Sequence, residues 1–414
     1  MKFTLSWLKE HLDTNESLDR IAESLTAIGL EIENITDPAA RYAAFKVAFV
    51  ESAERHPDAD RLQVLRVKTE TETLQVVCGA PNARAGMKGI FAPIGATIPG
   101  LENMELKKGV IRGVESCGMM ASERELELSD EHKGIIEVDE KWPVGTPMAE
   151  VFGLNDPVIE IAVTPNRADC AGVRGVARDL AAAGLGTLKP LDDSPAHHSF
   201  PSPLDVMIVD NAGCPQFLGR FIRNVKNGPS PDWIQNRLKA IGMNPKSALV
   251  DITNYVSYDL CRPLHVFDAD RLDGDITVRA AKDGEHFTAL DEEEYALKEG
   301  MTLICDDSRI LALGGVMGGL DSGCDAETTN VFLEVAYFDP ARIARTGRDT
   351  GILSDARYRF ERGVDPAFLH RATEIATRMI LKICGGEASE IVAAGAEALW
   401  KRTIDFDPAF TKEL

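Results

Sequence analysis

Pro190, Pro195, Pro201 and Pro203, with serines and histidines between them, interrupt the middle of this chain. A polar, proline-rich stretch of this kind marks a boundary, and 191–204 is read as a linker. The 414 residues around it are enough for two or three domains at about 150 residues each.

Before the linker, the first 35 residues read as two short helices. In the second, Leu18, Ile21, Leu25 and Ile28 share a face, Ser17 is placed to cap it and Gly29 to end it. From Phe45 the period changes. Short β-rich runs (Phe45 to Val50, Leu62 to Val67, Leu74 to Cys78, Gly134 to Val138) alternate with Pro, Gly and Asn, which predicts a small barrel. A helix is expected from Cys170 to Gly184. After the linker, Ser230-Pro231-Asp232-Trp233 reads as a capped helix start, with Ile234, Leu238 and Ile241 as its stripe and Gly242 as its stop. Strands are expected at Ile276 to Ala280, Thr302 to Asp306 and Val331 to Val335. A helix from about Phe368 to Cys384 would bury Ala372, Ile375, Met379 and Ile383 and end at Gly385-Gly386. The fold class is therefore multidomain α+β.

Forty-five basic against 66 acidic residues give a net charge of −21, which on average repels a polyanion. Locally the balance reverses. Arg84, Lys88, Lys107, Lys108 and Arg112 face only Glu102 and Glu105 over the same stretch, and six arginines between Arg342 and Arg362 face Asp349, Asp355 and Glu361. Glu123, Glu125, Glu127, Asp130 and Glu131 follow the first basic stretch closely. The eight cysteines are widely spaced, with no Cys-x-x-Cys, so reduced core thiols are expected and no metal site is signalled. The longest uncharged run, Gly89 to Leu101, is too short to span a bilayer and contains two prolines. Lys9, Glu10 and His11 interrupt any amino-terminal apolar stretch, so a cytoplasmic location is expected. The sequence has no phosphate loop, dinucleotide fingerprint or zincin motif.

Two sets of motifs carry a resemblance. His56-Pro57-Asp58-Ala59-Asp60-Arg61-Leu62, Val77 to Gly86, Ala92-Pro93-Ile94-Gly95-Ala96 and Arg112 to Ser122 together resemble the tRNA-binding oligonucleotide-binding (OB) barrel. Val250 to Val256, Pro263 to Asp268, Gly314 to Gly319, Leu333 to Pro340 and Arg357 to Pro366 resemble the proofreading region of the phenylalanine–tRNA ligase beta subunit family. Lys2 to Leu12, Ile28 to Glu31 and Thr164 to Cys170 are similar to the same family. The resemblance implies an OB-fold tRNA-binding domain over 39–148, inserted in a small split α+β domain (1–38 and 149–190). It also implies an editing domain over 205–390 and the start of a further, truncated domain over 395–414. Departures from the family are Ser354, where it often has Thr, and Arg357, where it often has Ser.

The implied partners are tRNA(Phe) and an alpha subunit that activates phenylalanine, the pair assembling as a heterotetramer. ATP and magnesium would serve the complete enzyme, with no cofactor in this chain. The implied reaction is hydrolysis of mischarged Tyr-tRNA(Phe). A phenyl pocket rejects an added hydroxyl only about 10²-fold, so a second site selecting for that hydroxyl is useful. Glu334 would read the phenol as a carboxylate, and His265 would orient water or the ribose. Thr253 and Asn254, at a strand end, would bind the amine and carbonyl. Gly318 would line the pocket and Ala356 keep its floor small. On the barrel, Arg84, Lys88, Lys107, Lys108 and Arg112 would track phosphates, with polar contacts from Asn82 and Ser116. Two other readings stay open at this point: a tRNA-binding protein with an inactive hydrolytic domain, and a structural fragment that supports its partner.

Overall fold

The computed structural model describes residues 1–129, 131–398, 401 and 403–413. Asp130, and Leu399, Trp400, Arg402 and Leu414 of the expected further domain, lie outside the described residues. The chain forms two compact units, Ile35–Val158 and Met1–Asn34 with Ile159–Leu414. No helix among the described residues is long and apolar enough to cross a membrane.

The Ile35–Val158 unit is built on an antiparallel five-stranded sheet in the order Met119–Met120, Lys88–Ala92, Lys46–His56, Ala59–Lys68, Thr73–Cys78. Its two edges are tied across. The Cys117 amide donates to the Gln75 carbonyl, and the Val77 amide donates to the Ser116 hydroxyl. Gly134 to Val138, expected as a strand, makes one isolated bridge, Gly89 with Glu137. Its backbone is held by Ile136 N–H to Ala121 C=O and Val138 N–H to Lys88 C=O, and also by the Asn82 amide, which accepts from Ile135 N–H and donates to Ile135 C=O. A short hairpin, Gly109–Ile111 with Val114–Ser116, turns at Arg112-Gly113. Both turn residues have positive φ (44° and 83°), which fits the right-handed twist of paired strands.

In the larger unit the Leu18–Ala27 helix starts at Ser17, whose side chain accepts from Arg20 N–H, and is followed by Gly29 at φ 87°. Two five-stranded sheets then face each other. The first runs His198–Phe200, Glu387–Gly395, Gln216–Arg223, Asn330–Tyr337, His265–Asp268. The second runs Val206–Ile208, Ile276–Ala280, Thr302–Cys305, Ile310–Leu313, Met317–Gly318. Period-2 alternation splits the Asn330–Tyr337 strand between two cores. Val331, Leu333 and Val335 pack with the helices, whereas Phe332 and Ala336 pack with residues of the second sheet. Glu334 falls in the Phe332–Ala336 row and so faces the space between the sheets.

Four sequence readings need correction. Thr253 and Asn254 lie in the middle of the Ala248–Leu260 helix, not at a strand end. The alternating Val250-Asp251-Ile252-Thr253 pattern looks strand-like, but burial of nearly every position against neighbouring helices overrides propensity. The Asp232–Ala240 helix starts at Pro231 without a side-chain cap, because the Ser230 hydroxyl donates to buried Asp251 instead. The Leu369–Cys384 helix buries Ala372, Ile375, Ala376 and Ile380, while Met379 and Ile383 are only half-buried. The 191–204 segment is not a free linker. Glu374 accepts from Ala196 N–H, Arg378 donates to the Asp192 and Ser194 carbonyls, Arg371 pairs with Asp193, and His198–Phe200 joins the first sheet in parallel. The residues on either side of it share one core, in which Phe3 and Trp7 pack with Ile252 and Tyr255.

Candidate functional site

A cavity of about 400 Å³ opens between the Ala248–Leu260 helix and the facing edges of the two sheets. His265, Glu334, Thr253, Asn254, Gly318 and Ala356 all line it, although they come from five separate stretches of chain. The helix contributes Val250, Thr253, Asn254, Ser257 and Tyr258, spaced to share one face. Two of its hydroxyls already spend their protons on the helix. Thr253 Oγ1 donates to Val250 C=O at 2.7 Å and Ser257 Oγ to Thr253 C=O at 2.9 Å. Toward the cavity these oxygens can only accept, whereas the Asn254 amide can also donate.

His265 and Glu334 are directly opposed on neighbouring antiparallel strands, with Phe267 opposite Phe332 beside them. Glu334 is 6% exposed. Burial pushes its carboxyl up to about 8, with the Arg262 guanidinium pulling the other way. Near neutrality the group is therefore mostly protonated, not the carboxylate expected from the sequence. A neutral carboxyl can both donate and accept. The His265 ring packs edge-on to Phe267 at 4.6 Å, and its buried Nε2 has no partner among the described residues. Burial takes His265 down to about 4, so the ring is neutral at physiological pH. An unpartnered buried nitrogen is costly unless a substrate or water completes it. Gly318 sits against this ring: a Cβ there would lie 2.6 Å from His265 Cε1, so any side chain would displace the histidine.

Arg262 is a site residue that the motifs do not announce. Its side chain is buried, donating to the Asp365 and Ala336 carbonyls, and burial lowers it to about 10, which leaves it charged at neutral pH. It is the cation in the field of Glu334. The one sequence signal for it is its place next to Pro263-Leu264-His265. Ser257, Tyr258 and Asp355 also join the site only through the fold. The Tyr258 hydroxyl donates to Asp355 Oδ1 at 2.6 Å, and Arg359 lies 4.1 Å over the Tyr258 ring.

The residues selected on the smaller unit have diverse roles. Asn82 clamps Ile135, and Ser116, 7% exposed, donates to Gly118 C=O and accepts from Val77 N–H. Both are committed to the fold. Arg84 is paired with Glu137, and Lys88 donates to the Glu140 and Trp142 carbonyls. Lys107, Lys108 and Arg112 are exposed; Lys108 lies 3.1 Å from Glu115 and Arg112 donates to Asp58 C=O. The Asp169, Cys170 and Asp179 group could hold a metal by spacing, but Arg167 and Arg178 already occupy the carboxylates.

Residues 213–385 match the family described as B3/4 domain, and residues 45–147 match the family described as "Putative tRNA binding domain". The chain is 56% identical over 418 residues to the phenylalanine–tRNA ligase beta subunit of Paramagnetospirillum magneticum, covering 100% of this chain and 52% of that protein. It is 55% identical over 418 residues to the subunit of the same name from Cereibacter sphaeroides, covering 99% of this chain and 52% of the relative. The match to the Brucella suis subunit is also 55%, covering 100% and 52%. The chain thus spans about half the length of the curated relatives it matches. With both domain matches and this identity along its whole length, the chain belongs to the phenylalanine–tRNA ligase beta subunit family, where it corresponds to the amino-terminal half.

Proposed function

We propose that this chain carries the proofreading and tRNA-contacting parts of a phenylalanine–tRNA ligase, removing tyrosine from mischarged tRNA(Phe). The observation that carries this reading is the facing pair at the cavity floor: a neutral buried carboxyl, Glu334, opposite a neutral histidine with an unpartnered nitrogen, His265. The Glu334 carbonyl oxygen accepts a hydrogen bond from the hydroxyl of a tyrosyl ring. A phenylalanyl ring leaves that group unpaired, at a cost of about 1–3 kcal/mol. Thr253 accepts from the substrate ammonium and the Asn254 amide donates to its carbonyl oxygen. His265 Nε2 holds a water by accepting its hydrogen bond. That water attacks the ester carbon, the bond to the ribose oxygen breaks, and the ribose oxygen takes up a proton. An aminoacyl ester is already activated, so positioning supplies most of what the reaction needs.

In this reading the five-stranded sheet of the smaller unit closes into an OB barrel through the Cys117–Gln75 and Val77–Ser116 bonds. An alpha subunit, in a two-alpha, two-beta assembly, supplies phenylalanine activation with ATP and magnesium. The purified chain is expected to hydrolyse Tyr-tRNA(Phe) faster than Phe-tRNA(Phe), and to form no Phe-tRNA(Phe) from phenylalanine, ATP and tRNA. Equal, background-level loss of both esters would sink the proofreading reading and leave a binding subunit. Partner-free aminoacylation would refute the division of labour.

The barrel contact is proposed to rest on Lys107, Lys108 and Arg112, which are exposed together at the Gly109–Ser116 hairpin, Lys108 with Glu115 and Arg112 with the Asp58 carbonyl beside them. Replacing those three together should flatten the dependence of log affinity on log salt, by roughly 0.7–0.9 for each phosphate no longer neutralised. Replacing Lys88, half-buried and bonded to two backbone carbonyls, should change that slope much less. An unchanged slope in the triple variant would mean that this patch does not face tRNA.

A further inference from the structure

We infer that a second, smaller cleft at the mouth of the Glu334 cavity seats the terminal nucleoside of the aminoacylated RNA; this rests on the proofreading reading above. The cleft has a volume of about 320 Å³ and is lined by Leu353, Ser354, Asp355, Arg357, Tyr358 and Glu361. Ser354 and Asp355 also line the main cavity, so the two spaces meet at these residues. An aminoacyl ester has the same topology, with the amino acid and the ribose on either side of one bond. With the tyrosyl group between the sheets, the nucleoside lies where the cavity opens.

The chemistry of the cleft suits a nucleoside. Leu353 is 86% exposed at its lip, an apolar side chain that the fold leaves in solvent, and the Tyr358 ring in the lining offers a face on which a base can stack. The Asp355 carboxylate is half exposed and held by Tyr258 and Arg359, as a group that accepts from a ribose hydroxyl must be. The acidic charge here is compensated. Glu361 is paired with both Arg357 and Arg362, and Asp355 with Arg359. Arg345 and Arg348 are exposed on the Pro340–Thr350 helix. That helix is joined to the cleft by the Arg357 bond to Gly347 C=O, which puts exposed cations near the path of the preceding phosphates.

The test compares binding of tyrosine amide with binding of tyrosine joined to the 3′ position of adenosine through a non-hydrolysable amide, by calorimetry on the full chain. The conjugate should bind about 5- to 150-fold more tightly, the range for one base stacked on an aromatic side chain, here Tyr358. Leu353→Asp should abolish most of that gain, with tyrosine amide affinity and thermal stability unchanged. Asp355→Asn should reduce the gain as well. If tyrosine amide binds but the conjugate binds no tighter, or if Leu353→Asp leaves the gain whole, the cleft is not the nucleoside site and the proofreading reading stands. If neither compound binds and Tyr-tRNA(Phe) is stable, both are overturned together.

Discussion

Glu334→Ala should slow hydrolysis of Tyr-tRNA(Phe) by about 5–150-fold while changing the slow hydrolysis of Phe-tRNA(Phe) much less. The size follows from losing one buried hydrogen bond to the phenol and leaving the hydroxyl unpaired, about 1–3 kcal/mol at roughly 1.4 kcal/mol per tenfold. The side chain faces a cavity, and the charged group acting on it among the described residues, Arg262, bonds backbone carbonyls rather than the carboxyl. Its removal therefore relieves a desolvation cost rather than breaking a network. Glu334→Gln keeps a carbonyl acceptor at the same place and should retain more discrimination than the alanine variant. His265→Ala is the complementary case. It should slow both esters, since holding a water does not depend on the ring. Initial rates for the two esters across the three variants decide the matter. Equal slowing of both esters by Glu334→Ala, in a folded protein, would show that Glu334 positions the ester and does not read the ring.

The sequence pattern explains the burial of Glu334 better than its residue type does. Val331, Leu333 and Val335 announce one apolar face, and Phe332 and Ala336 another, so a strand apolar on both faces must bury a glutamate at its centre. The neighbouring helix is not legible in the same way. Val250 to Val256 alternates like a strand, and only the tertiary burial of Asp251 with Ser230 and Lys246 N–H shows why it coils. Arg262 has no signature of its own, because nothing in a sequence says that an arginine beside a proline turns inward to bond carbonyls 74 and 103 residues away. The basic residues of the smaller unit are plain in the sequence, but their partners are not. Glu137 is 53 residues from Arg84, and the Lys88 acceptors are backbone atoms with no sequence signature. The 191–204 segment departs from a free linker for a related reason. Prolines bar a helix or a long strand, but they prevent neither the short His198–Phe200 strand nor the docking of the segment by Glu374, Arg371 and Arg378 of a distant helix.

Relative to its Glu334→Gln variant, the larger unit should lose stability as pH rises from about 4.5 toward 8. An exposed glutamate releases its proton near 4.5, whereas burial holds the folded carboxyl to about 8. Below 4.5 both states are protonated and the group is neutral in the balance. Between the two values the folded chain binds the extra proton, so each pH unit removes about 1.4 kcal/mol of stability; above 8 the loss is complete. The full window corresponds to an upper limit on the order of 4–5 kcal/mol, because water entering the cavity lowers the real cost. His265 has the opposite slope in an overlapping window, so below about 6.5 the two contributions oppose each other and only the comparison with the variant isolates Glu334. Its folded value near 4, against an ordinary 6.5, makes stability drop as pH falls through that range. The glutamine variant isolates the glutamate, since it keeps His265 and Arg262 in place. Urea midpoints for both proteins should converge near pH 4.5 and separate progressively to pH 8, with the variant the more stable. Parallel curves over that range would mean that Glu334 is ionised in the folded protein, and the proofreading site would then have to read tyrosine with a charged carboxylate.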